Sequence, residues 1–226
     1  GRLDRSWRWT TPRPGSSSGA RLEAFRPSSA GWVVSQGTDD AEERTSNGNM
    51  TLTGTLQLIR ATNDQYVGVR FQSLGIPQNA TINSATLEFE VDSTNTASTS
   101  LTIKGEATGN SATFTSSGNS ISTRSQTTAS VSWSSLPNLA VNQKLVSPDI
   151  KTIVQELVNR TDWASGSAMA FILSGSGTKN VESYDSEPAA APLLRVRYSS
   201  NTATQKTVRE QLKELIVPMR AEANTP

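Results

Sequence analysis

Cysteine and histidine are both missing from the 226 residues. Without cysteine there are no disulfides, no thiolate zinc sites and no cysteine nucleophile. The lack of histidine removes the commonest general base and the commonest transition-metal ligand. Charged residues are scarce at 18% and aromatic ones at 6%. No apolar run approaches the roughly 18 residues that a membrane-spanning helix needs, and the opening GRLDRSWRW is not an export signal. That start reads as a cut or mature terminus. The sequence carries no G-x-S-x-G, no P-loop and no dinucleotide glycine motif.

What is abundant is Ser, Thr, Asn and Gly, the profile of an all-β extracellular module. The formal charge of +1 conceals a polarity along the chain. Residues 1–26 hold six arginines against Asp4 and Glu23, a net +4, and the rest is net −3. Residues 1–30 therefore read as a basic arm, with Pro12, Pro14 and a Gly/Ser stretch, and with Trp7 and Trp9 among the arginines. An arm of this kind without a nucleic-acid-binding motif is read as docking its tryptophans on a neighbouring body, not as a nucleic-acid site.

The landmark is Ile76 to Asp92. Ala85, Leu87, Phe89 and Val91 share one parity, and Thr86, Glu88, Glu90 and Asp92 the other, which is a half-buried strand. Ile82 is out of phase with Leu87, so a bulge or sheet crossing is expected at Asn83-Ser84. Further strand candidates are the short apolar Trp32–Val34, then Thr51–Ile59, Gln65–Phe71, Ser100–Ala107, Ala129–Trp133 and Leu193–Tyr198. Asn63-Asp64 suggests a hairpin between the second and third of these. Between Trp32–Val34 and Thr51 lies SQGTDDAEERTSNGN, which reads as an acidic loop, and residues 109–126 read as a long polar loop. Ala168–Leu173 is apolar on both parities, hence a central strand covered on both sides. Ser147-Pro148-Asp149 has the residues of a helix start, followed by a stripe of Ile150, Ile153, Val154, Leu157 and Val158. The expected fold is an all-β jelly-roll sandwich over residues 31–199 with one covering helix. Residues 200–226 add a linker and a C-terminal amphipathic helix, with Thr207 and Glu210 at capping-box spacing.

Two resemblances follow from these stretches. QYVGVRF, IPQNATINSATLEFEVD and the closing APLLRVRY make residues 32–198 similar to bacterial DNRLRE-type jelly-roll modules. Such modules occur in secreted polysaccharide-active enzymes and large surface proteins, and several related ones bind carbohydrate. TVREQLKELIVPMRAEANTP resembles the helix and following loop of a von Willebrand factor type A domain. There the Thr of a G-x-T-P loop contributes to a metal-ion-dependent adhesion site, which would be Thr225; Asn224 stands near the usual glycine and the D-x-S-x-S segment is absent. A jelly roll set into such a domain is the layout of type IV pilus-tip adhesins. The resemblance implies a segment of a longer bacterial surface protein.

Candidate chemistry is concentrated in Asp39, Asp40, Glu42 and Glu43, hard oxygens of the kind Ca²⁺ takes. Asp185 and Glu187 join them if the first and last strands are neighbours. The competing reading is a solvated acidic turn that pairs with Arg44 or the arginine arm. Trp133, Trp163 and Tyr66 are candidates for stacking on sugar rings, with burial in the sandwich core as the alternative. Glu88 and Glu90 form an alternating acidic row that reads as solvated surface, not as a catalytic pair. Three sequons begin at Asn49, Asn79 and Asn159. The expected function is non-enzymatic: an extracellular binding or presentation module of a bacterial, pilus-associated adhesin. Its partners would be the rest of that protein or neighbouring subunits, and a glycan in the rival reading of a carbohydrate-binding module. A third reading is a structural subunit that docks its arm and C-terminal helix into neighbours.

Overall fold

A computed structural model describes residues 28–59 and 65–200. The arm up to residue 27, the segment from 201 onward with its expected helix, and Thr225 lie outside the described residues. Among the described residues there are twelve strands and one α-helix: β1 Ser28–Val33, β2 Asp40–Arg44, β3 Met50–Thr51, β4 Leu56–Gln57, β5 Gln65–Phe71 and β6 Thr81–Ser93. There follow β7 Ser100–Glu106, β8 Gln126–Trp133, β9 Lys144–Val146, β10 Met169–Ser176, β11 Asn180–Val181 and β12 Leu193–Ser199. The helix, α1 Lys151–Val158, and a 3₁₀ turn at Pro188–Ala190 complete the elements.

The strands form two antiparallel sheets. One contains the run β1-β12-β6-β9 and the other β5-β10-β7-β8. Counted in chain order, those are strands 1-8-3-6 facing 2-7-4-5, the strand order of a jelly roll. The expected fold is therefore the observed one. Strands β2 and β3 extend the second sheet beyond β5, and β4 extends the first beyond β11.

β6 runs through the whole first sheet, and its parity is as the sequence predicts. Ala85, Leu87, Phe89 and Val91 are buried in the core, while Glu88 and Glu90 face outward. Each outward carboxylate pairs with a cation on an adjacent strand, Glu88 with Arg195 and Glu90 with Lys144. The register with β12 shifts between Arg197↔Ser84 and Tyr198↔Ile82, which leaves Asn83 as the extra residue of a bulge. The bulge turns Ile82 inward despite its odd phase, at 6% exposure.

Strand β11 lies along the same edge of β6 as β12. Even-numbered residues of β6 serve that edge, since Glu182 N–H donates to the Glu90 carbonyl. Odd-numbered ones serve β9 and the residues on either side of it, since Val91 N–H donates to the Gln143 carbonyl and Ser147 N–H to the Leu87 carbonyl. β11 and β12 thus act as one strand interrupted by residues 182–192.

β10 is covered on both faces, as expected. Met169, Phe171 and Leu173 enter the main core between the sheets. Ala170 and Ile172 lie on the outer face under Phe114 and Ile121, with Ala41 beside them. The cover is the stretch from Gly109 to Gln126, a polar loop folded back onto the sheet. Phe114 can seat only because position 68 is glycine; a Cβ there would stand 2.4 Å from the ring.

Three local expectations are corrected. β4 pairs with β11 in one sheet and β5 lies in the other, so no hairpin joins them across residues 60–64, which are outside the described residues. β1 starts at Ser28, inside the stretch assigned to the arm. Ser147 does not cap the helix, whose N-cap is Ile150 without a side-chain bond. Instead Ser147 Oγ accepts Leu87 N–H at 2.9 Å and Asp149 Oδ1 accepts Ala85 N–H at 3.0 Å, while also taking Lys151 N–H.

The helix continues this work. Gln155 accepts Ile82 N–H at 2.9 Å and donates to the Ala80 carbonyl. Glu156 accepts Thr128 N–H at 2.9 Å and Ala129 N–H at 2.7 Å on the edge of β8. One helix thereby closes the open side of the sandwich between β6 and β8, with Ile153 and Leu157 lying over Gly105 of β7. Replacing Glu156 by Ala removes the acceptor of two edge donors, of which Thr128 N–H can turn to water, and should lower unfolding stability in urea by about 0.5–1.5 kcal/mol, with Glu156→Gln recovering part of it.

Candidate functional site

The acidic run is a strand, not a loop. Asp40–Arg44 forms β2, paired on one side with β5 and on the other with β3. A strand sends alternate side chains to opposite faces, so Asp40 and Glu42 point one way and Ala41 and Glu43 the other. The run as a whole cannot converge on one ion. Among the described residues, no three His, Cys, Asp or Glu side chains come together as metal ligands.

Each carboxylate has a protein donor. Asp39 is fully buried and pairs with Arg70 at 2.6 Å. It also accepts Gln72 Nε2 at 2.5 Å and Thr113 Oγ1 at 3.0 Å. Glu43 accepts Ile121 N–H at 2.6 Å and Ser122 N–H at 2.8 Å, which fastens the covering loop. Arg124 clasps the same loop, pairing with Glu106 at 2.6 Å and lying 4.3 Å from the Phe114 ring centre. On the inner face, Glu42 Oε1 accepts Gln57 N–H at 2.5 Å and Asp40 Oδ2 accepts Tyr184 N–H at 2.7 Å. These two bonds join β2 of one sheet to β4 and the 182–192 excursion of the other. The solvated-turn reading is corrected: the acids are internal fasteners of the sandwich edge.

Asp185 does approach the run, as its position before the last strand suggested. Its carboxylate lies over Gly37, where a Cβ would stand 2.5 Å away. The excursion is folded on Ser183, whose Oγ donates to the Gly54 carbonyl at 2.7 Å and accepts Asp185 and Ser186 N–H. Glu187 points into solvent. The Asp40 carboxyl is pushed up to about 7, chiefly by burial and then by the charges of Asp185 and Asp39, against the pull of Tyr184 N–H.

Beside these fasteners a cleft of about 330 Å³ is lined by Glu42, Arg44, Thr51, Thr55, Gln57 and Gln65. Its lining is polar and holds no aromatic ring, and Gln65 Nε2 already donates to the Gln57 carbonyl at 2.6 Å.

The three aromatic candidates do not share a platform. Trp133 is 5% exposed and stacks on Phe89 at 6.3 Å between ring centres. Trp163 is 3% exposed, with its indole N–H donating to the Ile76 carbonyl at 3.0 Å. Stacking on a sugar needs an open ring face, and neither tryptophan has one. Tyr66 is half-buried on the outer face of the second sheet, packed against the cluster that holds Phe114 and Ile121.

A further set of ordered loops lies at one end of the sandwich. At the end of the sandwich where β6 finishes, the loops 94–99, 134–143 and 177–179 meet around Lys179. This lysine is 4% exposed, and its ammonium donates to the Asn95 carbonyl at 2.8 Å, the Ala97 carbonyl at 3.0 Å and Asn138 Oδ1 at 2.7 Å. Burial lowers its pKa, and among the described residues no carboxylate pairs with it. Leu136 N–H donates to the Thr99 carbonyl, and Thr99 Oγ1 donates to the Thr178 carbonyl at 3.2 Å. Around the staple the loops expose Thr94, Thr96, Ser98, Ser134, Asn138 and Asn142, uncharged groups suited to adaptable hydrogen bonding, beside the apolar Val141. A single lysine in GSGTKN carries no sequence signal for this role. No family model matches the chain, and neither does any of the curated proteins searched.

Two measurements check this site. An Asp whose folded pKa is raised is favoured protonated, so its contribution is present below the ordinary 3.8 and lost as pH rises through about 7. Asp40→Asn retains an oxygen acceptor for Tyr184 N–H. The variant should gain stability relative to the parent as pH increases from 4 to 8, and equal pH profiles would reject the assignment. Because protein donors engage the acidic run, a chelator should leave the thermal midpoint unchanged.

Proposed function

We propose that residues 28–200 form a non-enzymatic presentation module carried within a larger bacterial surface adhesin, where it holds binding loops away from its host. The observation that carries this reading is the pairing of Ser28 with Tyr198. Paired antiparallel residues lie about 5 Å apart. The chain therefore enters and leaves the sandwich at one corner, and a host fold can accept the module without parting its own ends. β6 begins at that corner and its thirteen residues span about 40 Å at strand rise, ending at the loops stapled by Lys179.

The stapled loops suit a binding role because their order is set before any partner arrives, and preorganised loops lose less entropy on binding. The resemblance of residues 207–226 to part of a von Willebrand factor type A domain supports a host of the pilus-tip adhesin kind, located at the cell surface. In this reading the polar cleft and the buried carboxylates serve the fold.

The test uses cells that display the complete adhesin. Lys179→Met keeps the buried aliphatic stem and removes the three staple bonds. Hydrogen exchange should quicken in residues 94–99 and attachment should fall about tenfold at unchanged surface level. A Gly/Ser bridge in place of residues 28–200 should abolish attachment while the host still reaches the surface. Attachment that survives the bridge sinks the proposal.

A further inference from the structure

The outer edge of β1 is a strand edge built to pair, and we propose that it takes the same strand of a second copy of this chain. β1 is the terminal strand of its sheet. Its inner edge is bonded throughout to β12, from Ser28↔Tyr198 to Val33↔Leu193. Val34 N–H continues that register by donating to the Pro192 carbonyl at 2.9 Å. Even-numbered residues therefore bond β12, and Ser29, Gly31 and Val33 turn their backbone donors and acceptors outward.

Among the described residues nothing pairs that edge; Ser28, Ser29, Gly31 and Val33 are exposed, while Ala30 and Trp32 are half-buried toward the core. The other edges are managed differently. β3, β4 and β9 are two or three residues long, and β8 has Glu156 of α1 against its start. β1 has six residues, SSAGWV, with no charge, no proline and no bulge, so it lacks the usual devices against edge pairing.

The sequence of β1 is complementary to itself in the antiparallel sense. Placing Gly31 opposite Gly31 of the second copy sets Ser29 opposite Val33. Every outward donor then meets an outward acceptor, because all three positions share one parity. The intervening positions set Trp32 opposite Ala30, the closely spaced kind of pair, with a large side chain beside a small one. Val33, which is 45% exposed, gains cover from the partner strand. No like charges meet across the axis. The product is one sheet running through two sandwiches about a two-fold axis at Gly31, an isologous contact.

Sedimentation of the full chain should show a concentration-dependent dimer at about 100 µM and below. Gly31→Lys sets two ammonium groups face to face at the axis and should raise the dissociation constant about tenfold or more. A Cβ at Gly31 meets Leu193 Cδ1 at 3.3 Å and no backbone atom closer than 3.8 Å, so the variant should melt with the parent. Gly31→Glu should likewise be monomeric, and an equimolar mixture of the two variants should recover the dimer. That rescue occurs only if position 31 faces itself. A monomeric parent at about 100 µM, a dimer indifferent to Gly31→Lys, or a mixture that stays monomeric each overturns the proposal.

Discussion

Unpaired backbone N–H groups along the sides of a two-sheet sandwich are the constraint on which this molecule depends. A jelly roll leaves two long openings where the sheets part, and the strands beside them carry donors that no strand can satisfy. This chain answers with side-chain oxygens. Along one opening Ser147, Asp149, Gln155 and Glu156 take donors from β6 and β8. Along the other, Asp40 and Glu42 take donors from the facing sheet. Carboxylates suit the task because a charged acceptor makes a stronger bond than a neutral one. That benefit is set against the cost of taking a charge out of water. Asp40 illustrates the compromise, since it is held so far from water and so near Asp39 and Asp185 that its charge is disfavoured.

The same economy explains the outer cover on the second sheet. Residues 109–126 contain little that could form a core by themselves. They are fastened by Glu43, Asp39 and the Arg124–Glu106 pair, and they deliver Phe114 and Ile121 onto Ala41, Ala170 and Ile172. A sheet with both faces covered is stiff, and stiffness is what a scaffold must supply if loops at its far end are to keep a fixed shape. The staple at Lys179 extends this to the loops themselves, by ammonium bonds to neutral oxygens.

What could be read from the sequence was whatever repeats within a few residues. The alternation in β6, its slip at Asn83 and the two-sided burial of β10 are periodic signals, and all three hold in the structure. The acidic run was misread because its partners, Ile121, Gln57 and Tyr184, are distant in sequence and donate through backbone atoms that leave no residue signature. A charge cluster looks solvated until its donors are known. Trp133 and Trp163 were ambiguous for a related reason: their type suits a core or a sugar face equally, and only the packing decides. The missing hairpin between β4 and β5 reflects a chain that changes sheets where local turn residues suggest it folds back.

The break between β11 and β12 has an implication for how the fold can vary. Val181 stands opposite Val91 and Leu193 opposite Glu88, so the eleven residues from 182 to 192 occupy a gap of only two positions on β6. The sheet would keep its register if that excursion were shortened to a direct connection. What would vanish is the clamp on Asp40 and Gly54, and with it one seam of the sandwich. Strand order and edge closure are thus written in separate stretches of chain. The excursion can lengthen, shrink or change its chemistry while the strands around it stay in place.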